Sequence, residues 1–104
     1  MGLTKTDAYT ADQLRLADLC RALGHPARIA ILQQLLSAGC CICRDFTAEI
    51  DLSQPTISRH LKELKVAGLI AGTVEGRSVN YCIAADRWRE VQALLNGMFD
   101  SVID

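Results

Sequence analysis

The sequence predicts a mainly α-helical fold with a small β-hairpin, in the order α-α-α-α-β-β-α. Three observations support this prediction: apolar residues recur at three- and four-residue spacing through most of the chain, glycine and proline separate these stretches, and the spacing changes to two near residue 70. The chain has 104 residues, of which 50% are hydrophobic and 22% charged, as in globular proteins. This length predicts one domain, residues 1–104, with a single modest core.

The first two predicted helices meet at a Gly-His-Pro turn. The first runs from Ala8 to Leu23, with Leu16 and Leu19 on one face. Gly24 ends it, and Pro26 suits the first position of the second helix because the missing proline N–H costs nothing there. The apolar stripe of the second helix is predicted to be Ile29, Leu32, Leu35 and Leu36.

A short third helix is predicted to begin within a group of cysteines at residue 40, and a fourth helix follows after a turn. The predicted apolar face of the third helix is Ile42, Phe46 and Ile50. Ser53 is a good N-cap for the fourth helix, which has Pro55 in its first turn. Gly68 suits the left-handed position that ends this helix. The predicted buried stripe of the fourth helix is Ile57, Leu61 and Leu64, with His60 at the edge of the core.

The last third of the chain predicts a hairpin and a fifth helix. Leu69–Val74 and Val79–Ile83 read as strands joined by a turn at Glu75–Ser78. Asp86–Val102 reads as a helix, and its apolar face is Trp88, Val91, Leu95, Met98 and Val102. This face is more apolar than a small monomer could easily cover, which favours a dimer.

The third and fourth helices, with the tight turn between them, predict a helix-turn-helix, and the hairpin makes it a winged variant. The N-terminal part of the second helix in such a motif enters the major groove of DNA. The predicted DNA-contacting residues there are Gln54, Thr56, Ser58, Arg59 and Lys62. Arg77, at the tip of the hairpin, is predicted to reach a phosphate or the minor groove. The alternative is that these are ordinary solvated residues of a surface helix.

The charge distribution agrees with an anionic partner for the middle of the chain. The formal net charge is only -1. The segment Ser53–Arg77, however, carries four basic and two acidic side chains, whereas the segment from Asp86 onwards carries two basic and four acidic ones. Local patches matter more for nucleic-acid binding than the total charge.

Three of the five cysteines, Cys40, Cys41 and Cys43, lie within four residues and predict a binding site for a thiophilic ion. A trigonal site needs three sulfur ligands, which suits trivalent arsenic or antimony, whereas tetrahedral zinc would need a fourth. Cys41 and Cys43 would point about 200° apart on a regular helix, so binding favours an unwound helix start. Such a distortion would move the DNA-reading helix. Cys20 and Cys82 are interpreted as small core residues.

Two alternatives use the same thiols differently. The cysteines could sense oxidants or persulfides in a repressor of the same fold, because a helix start makes a thiolate more reactive. A thiol-disulfide oxidoreductase is the weaker alternative, since its Cys-x-x-Cys motif needs a βαβ setting that the sequence does not predict. No other catalytic constellation is visible, so the chain is not expected to be an enzyme. Neither a signal peptide nor a membrane span is predicted, which makes the cytoplasm the expected compartment.

Four segments resemble the ArsR/SmtB family of repressors. They are the runs Leu23–Arg28, Leu52–Leu61, Lys65–Ile70 and Gly76–Tyr81. The resemblance implies a winged-helix homodimer that binds double-stranded operator DNA and releases it when an inducer binds, without a permanently bound cofactor. It also implies that the first and last helices form the dimer interface, with Leu16, Leu19, Trp88, Val91, Leu95 and Met98 as its residues.

The cysteines resemble those of the family's arsenic sensors. These sensors carry a Cys-x-Cys motif at the start of the third helix, which Cys41-Ile42-Cys43 matches. This sequence departs from the pattern by having Cys40 ahead of the pair and one extra residue before the Ser-Gln-Pro run. The zinc sites of related sensors use histidine on the last helix, and the only histidines here are His25 and His60. The resemblance therefore implies an As(III) or Sb(III) inducer rather than zinc at the dimer interface.

Overall fold

The fold is that of a computed structural model, which describes residues 8–38, 50–76 and 78–102. Four helices and one two-stranded antiparallel sheet lie within these ranges. They are α1 (Ala11–Leu23), α2 (Pro26–Ala38), α3 (Gln54–Val66), β1 (Ile70–Glu75), β2 (Ser78–Ile83) and α4 (Ala85–Phe99). The predicted third helix falls almost wholly outside the described residues. The elements confirm the mainly α-helical winged helix-turn-helix class that the sequence predicts.

The start of α1 is set by a pair of reciprocal hydrogen bonds rather than by the beginning of the apolar pattern. The backbone N–H of Gln13 donates to Oγ1 of Thr10 at 3.0 Å, and the backbone N–H of Thr10 donates to Oε1 of Gln13 at 2.9 Å. This capping box satisfies two backbone donors that a helix start otherwise leaves free. The predicted start at Ala8 was therefore three residues too early.

The buried face of α2 differs from the predicted stripe. Leu32 and Leu35 are buried as predicted, together with Ala27 and Ile31. Ile29 and Leu36 are 40% and 50% exposed, so their assignment to the core was wrong. The physical reason is that α2 carries apolar residues around most of its circumference, and the spacing rule alone cannot choose between two overlapping apolar faces.

The end of α3 follows the prediction closely. Gly68 has φ +79°. The N–H of Gly68 donates to the carbonyl of Lys65, and the N–H of Leu69 donates to the carbonyl of Leu64, both at 3.0 Å. These two bonds define a Schellman motif, which satisfies carbonyls that the helix end leaves free. An added Cβ on Gly68 would lie 2.8 Å from Nε of Arg87 on α4, so this position also allows the two helices to approach closely.

The hairpin is tighter than predicted. The register pairs Ile70 with Ile83 and continues to Glu75 opposite Ser78, which leaves a two-residue loop. Gly76 begins this loop with φ +60°, a conformation that two-residue hairpin loops require and that glycine adopts at low cost.

One core joins all of these elements and fixes the position of α3. Its most deeply buried side chains are Ile31, Leu32, Leu35, Ile57, Leu64 and Leu69. The carbonyl oxygen of Leu69 accepts two hydrogen bonds at 3.0 Å, from the backbone N–H of Ala84 and from the indole Nε1 of Trp88. The base of the hairpin and the start of α4 are thereby attached to the end of α3.

The last helix buries only part of its predicted apolar face. Val91 is buried, and Trp88 and Leu95 are half-buried. Met98 is 54% exposed and Val102, beyond the end of α4, is 73% exposed. The C-terminal end of this face is therefore not covered within one chain. None of the described helices is long and apolar enough to cross a membrane.

Candidate nucleic-acid interface and thiol groups

The α3 helix separates an apolar face from a polar one. Ile57, Leu61 and Leu64 are buried as predicted, while Gln54, Ser58, Arg59 and Lys62 are exposed. At 100° per residue, the directions of Arg59 and Lys62 lie on either side of the direction opposite the core. These two cations therefore form the outermost part of the helix surface.

The polar side chains at the start of α3 bond to one another. The Nε2 of Gln54 donates to Oγ of Ser58 at 3.2 Å. The Oγ of Ser53 accepts from the backbone N–H of Thr56 at 3.4 Å and lies 3.0 Å from Oγ1 of Thr56. Thr56 is half-buried. Its hydroxyl belongs to the helix cap, which makes Thr56 the least available of the predicted contact residues on this helix.

The basic side chains of α3 differ from those of α1 and α4 in their ionic partners. Arginines on α1 and α4 are paired with carboxylates: Arg15 and Arg87 both contact Glu90, Arg21 contacts Asp18, and Arg89 contacts Asp86. Within the described ranges, no ion pair involves Arg59, Lys62 or Lys65. The positive charge of α3 is therefore not neutralised by these neighbours and can attract an anionic ligand.

Lys65 extends this basic surface toward the hairpin. A Cβ placed on Gly72 of β1 would lie 3.6 Å from Nζ of Lys65, so the ammonium group lies close over the strand. Sequence reasoning counted Lys65 in the local charge but did not place it among the contact residues. Its position depends on how the hairpin folds back toward α3. Arg77, the predicted contact at the hairpin tip, lies outside the described residues.

Arg28 joins three helices through contacts that sequence reasoning did not single out. Its Nε donates to Nδ1 of His60 at 3.1 Å, and its Nη1 lies 3.3 Å from the carbonyl oxygens of Arg21 and Ala22. One guanidinium thus joins the end of α1, the start of α2 and the middle of α3. The predicted position of His60 at the edge of the core is confirmed, with 8% of the residue exposed.

His60 has a shifted acid–base equilibrium. Burial lowers the pKa of its imidazole below the usual 6.5, and the positive charges of His25, Arg28 and Arg59 lower it further, while Glu63 acts in the opposite direction. The ring therefore favours the neutral form, which can accept the hydrogen bond from Arg28.

The thiols are only partly described. The predicted ligands Cys40, Cys41 and Cys43 lie outside the described residues, and among the residues that the structure describes no three His, Cys, Asp or Glu side chains are grouped to hold a metal ion. Cys20 is an exposed free thiol, so its interpretation as a core residue was wrong. Its position on α1 faces away from the neighbouring helices. Cys82 on β2 is half-buried and disulfide-bonded.

The predicted dimer-interface residues divide into three groups by their exposure. Leu19 and Val91 are only 4% and 5% exposed within one chain, which leaves them little surface for a partner. Met98 is more than half exposed. The remaining three, Leu16, Trp88 and Leu95, are half-buried.

Comparison with known proteins identifies relatives that share this architecture. Residues 23–73 match a family model described as a helix-turn-helix domain. An uncharacterized HTH-type transcriptional regulator from Methanocaldococcus jannaschii is 37% identical over 83 residues, covering 79% of this chain and 92% of that protein. The HTH-type transcriptional repressor SmtB of Mycobacterium tuberculosis is 42% identical over 67 residues, covering 64% of this chain and 49% of that repressor. The arsenic resistance transcriptional regulator ArsR1 of Pseudomonas putida is 38% identical over 61 residues, covering 59% of this chain and 47% of that regulator.

Solved structures extend the similarity to three dimensions. The cadmium metal-sensor CmtR of Mycobacterium tuberculosis is 39% identical, with a TM-score of 0.56 over 76% of this chain and 81% of that one. A homodimeric winged helix-turn-helix DNA-binding domain from Mycobacterium bovis, a possible ArsR-family regulator, is 26% identical, with a TM-score of 0.66 over 100% and 94% of the two chains. An ArsR-like regulator from Rhodococcus, 21% identical, has the same fold with a TM-score of 0.72 over 88% and 85%.

The fold and the exposed basic helix define a DNA-binding transcriptional regulator of the winged-helix class. Together with these relatives, they show that the chain belongs to the ArsR/SmtB family. The chain spans about half the length of several of its curated relatives, although it covers nearly all of the one from Methanocaldococcus jannaschii.

Proposed function

We propose that this protein is a homodimeric repressor that leaves its operator when trivalent arsenic or antimony binds Cys40, Cys41 and Cys43. The observation that carries the proposal is the spacing of three thiols within four residues, the last of them 11 positions before Gln54 at the start of α3. Thiolates are soft ligands that select thiophilic ions, and three of them suffice for a trigonal site. The similarity to the arsenic resistance regulator ArsR1 and to the cadmium sensor CmtR supports a sensor of such ions.

In this proposal α3 reads the DNA. Gln54, Ser58, Arg59 and Lys62 contact bases or phosphates in the major groove, with Thr56 at the edge of the contact and Arg77 reaching the backbone. The charges of Arg59 and Lys62 support this assignment, because neither has a carboxylate partner within the described ranges, whereas the described arginines on α1 and α4 do. The proposed second copy packs on the C-terminal apolar end of α4, continuing from Trp88 and Leu95 to Met98.

Inducer binding would act through the segment that leads into α3. Cys41 and Cys43 cannot meet on one small ion from a regular helix, so the bound and free states must differ in backbone conformation at the cysteines. The protein would thus have two states, with different backbone conformations at the cysteines. The ion would bind only one of them and so stabilise that state. The DNA-bound state would be the one without the ion.

The decisive experiment measures DNA affinity of the fully reduced protein with and without arsenite. The probe is a labelled DNA duplex that the protein itself selects from a random-sequence library. Its binding is measured by fluorescence anisotropy. Arsenite should lower the affinity of the wild type, whereas Cys41→Ser and Cys43→Ser should bind DNA normally and respond weakly. Cys20→Ser is the matched control, because Cys20 is a free thiol on α1, outside the proposed site. Unchanged affinity in saturating arsenite would disprove the inducer assignment.

A second candidate function, a thiol redox sensor of the same fold, is favoured by the state of Cys82. This residue is disulfide-bonded on β2, the second strand of the wing. With hydrogen peroxide as the oxidant, two thiols would give one disulfide while the peroxide is reduced to two molecules of water. Oxidation followed by peptide mass analysis separates the two candidates. A defined disulfide at Cys82 that alters DNA affinity supports redox sensing, and an arsenite response that Cys82→Ser leaves intact supports the metalloid sensor.

A further inference from the structure

The Arg28 guanidinium lies where three helices meet. Its Nε donates to His60 on α3, while Nη1 lies within 3.3 Å of the carbonyl oxygens of Arg21 and Ala22 at the end of α1. Arginine carries only hydrogen-bond donors and stays protonated throughout the physiological range. The contact to α3 therefore exists only while Nδ1 of His60 has a free lone pair.

Most of the groups around His60 disfavour its protonation, and Glu63 is the one among the described residues that favours it. Its ring lies against the ring of His25, with centroids 4.3 Å apart and planes inclined at 45°. The charged or titratable groups facing it are His25 and Arg28 from the start of α2, and Arg59 and Glu63 from α3 itself. His25 is held by its own hydrogen bond, since its Nδ1 accepts from the backbone N–H of Ala27 at 3.0 Å.

We propose that Arg28 and His60 are positioning residues for the DNA-reading face of α3, so that protonation of His60 weakens DNA binding. A proton on Nδ1 would remove the acceptor and place a second cation against the guanidinium, so the two groups would separate. His60 directly follows Arg59 and lies two residues from Ser58 and Lys62. In this proposal, a shift of α3 at His60 carries these side chains with it. The inference rests on the proposed role of α3 in reading DNA.

The test is the pH profile of DNA affinity, measured with the same self-selected duplex at constant ionic strength between about pH 8 and about pH 5.5, the range in which histidine titrates. Wild-type affinity should fall as the pH is lowered, by up to about tenfold for each unit by which DNA binding lowers the pKa of His60. In His60→Asn, the side-chain Oδ1 can still accept from Arg28 but cannot take up a proton. This variant should match the wild type at high pH and show a flatter profile.

Two controls assign the effect. His25→Asn removes the other imidazole and keeps an acceptor for Ala27. Because His25 lowers the pKa of His60, this variant should keep a pH-dependent affinity, with the fall shifted toward higher pH. Long-range ¹H–¹⁵N spectra of the imidazoles, recorded without DNA, should show His60 neutral with its proton on Nε2, and Arg28→Lys should alter that signal. Thermal unfolding of each variant identifies any that fail to fold.

The outcomes are distinguishable. A His60→Asn variant with the wild-type pH profile, or a wild type whose affinity does not change with pH, would overturn the inference. A His60 proton on Nδ1 would also overturn it, because the hydrogen bond from Arg28 could not form. Failure to select any duplex would count against the proposed function, and the imidazole spectra would still decide whether the Arg28–His60 pair exists in solution.

Discussion

At the scale of single residues, the availability of charge separates α3 from the rest of the described chain. The exposed arginines of α1 and α4 have carboxylates beside them, and Glu90 serves both Arg15 and Arg87. Arg59 and Lys62 have no such partner among the described residues. Because these two cations lack a carboxylate partner there, α3 offers uncompensated positive charge to an anionic ligand, even though the whole chain is slightly acidic.

Arg59→Ala should weaken binding to the selected duplex by about 1–3 kcal/mol if Arg59 contacts a base, with a relaxed preference at one position. The measurement is anisotropy titration against the selected duplex and a set of single-base variants. Arg89→Ala is the matched control, because Arg89 is also exposed but lies on α4 and pairs with Asp86. Equal affinities for wild type and Arg59→Ala would remove this residue from the interface.

The lowered pKa of His60 also predicts how stability depends on pH. Below the usual value of 6.5 the unfolded chain binds a proton at this site more readily than the folded chain does. The contribution of neutral His60 to the free energy of unfolding should therefore be fully present above that pH. It should be lost as the pH falls through the folded-state pKa. Urea denaturation at a series of pH values measures this, and the decline should be smaller in His60→Asn. A variant that loses stability as steeply as the wild type would contradict the assignment to His60.

At the scale of elements, the sequence predicts the residues that begin and end the helices better than it predicts which helix faces are buried. Ser53, Pro26 and Gly68 all lie where predicted, because each acts through backbone geometry within a few residues of itself. The face of α2 was predicted less well, since Ile29 and Leu36 are as apolar as their buried neighbours and only tertiary packing decides between them. Arg28 was missed for the same reason: its partners are 32 residues away on α3 and 6–7 residues back on α1.

Gly68→Ala should destabilise the protein by about 1–2 kcal/mol from the positive φ alone, and by more because of the approach to Arg87. Gly97→Ala is the control: Gly97 lies in α4, an added Cβ would have no heavy atom within 4 Å, and alanine should stabilise the helix by about 0.5–1 kcal/mol. Chemical denaturation of both variants measures the two effects. If the Gly68 variant were as stable as the wild type, the Schellman motif would not be important for stability.

At the scale of the whole molecule, the incomplete burial of α4 points to a second copy. Met98, Phe99 and Val102 are all more than half exposed, at the end of a helix whose earlier turns reach the core. The similar domain from Mycobacterium bovis is homodimeric, which supports the proposed dimer. The apolar face of α4 was predicted from the sequence. The burial of Leu19 and Val91 within one chain was not, because the packing of α1 against α4 depends on the complete fold.

Met98→Glu should weaken self-association, because burying a methionine side chain contributes about 1.5–3 kcal/mol and a two-fold interface loses this twice. Glutamate is a good helix former, so α4 should remain intact. Sedimentation velocity over a concentration series measures the dimer dissociation constant. Val74→Glu is the control, since Val74 is 70% exposed on the hairpin, away from α4. Identical dissociation constants for Met98→Glu and wild type would place the dimer interface elsewhere.

The hydrogen bonds of Leu69 connect three elements of the fold. Its carbonyl oxygen accepts hydrogen bonds from Ala84 and Trp88, and the N–H of the same residue donates to the carbonyl of Leu64. The hairpin, α3 and α4 are therefore joined at Leu69. The proposed inducer site ahead of α3 and the proposed contact of α4 with a second copy would therefore both act on the residue that joins these elements.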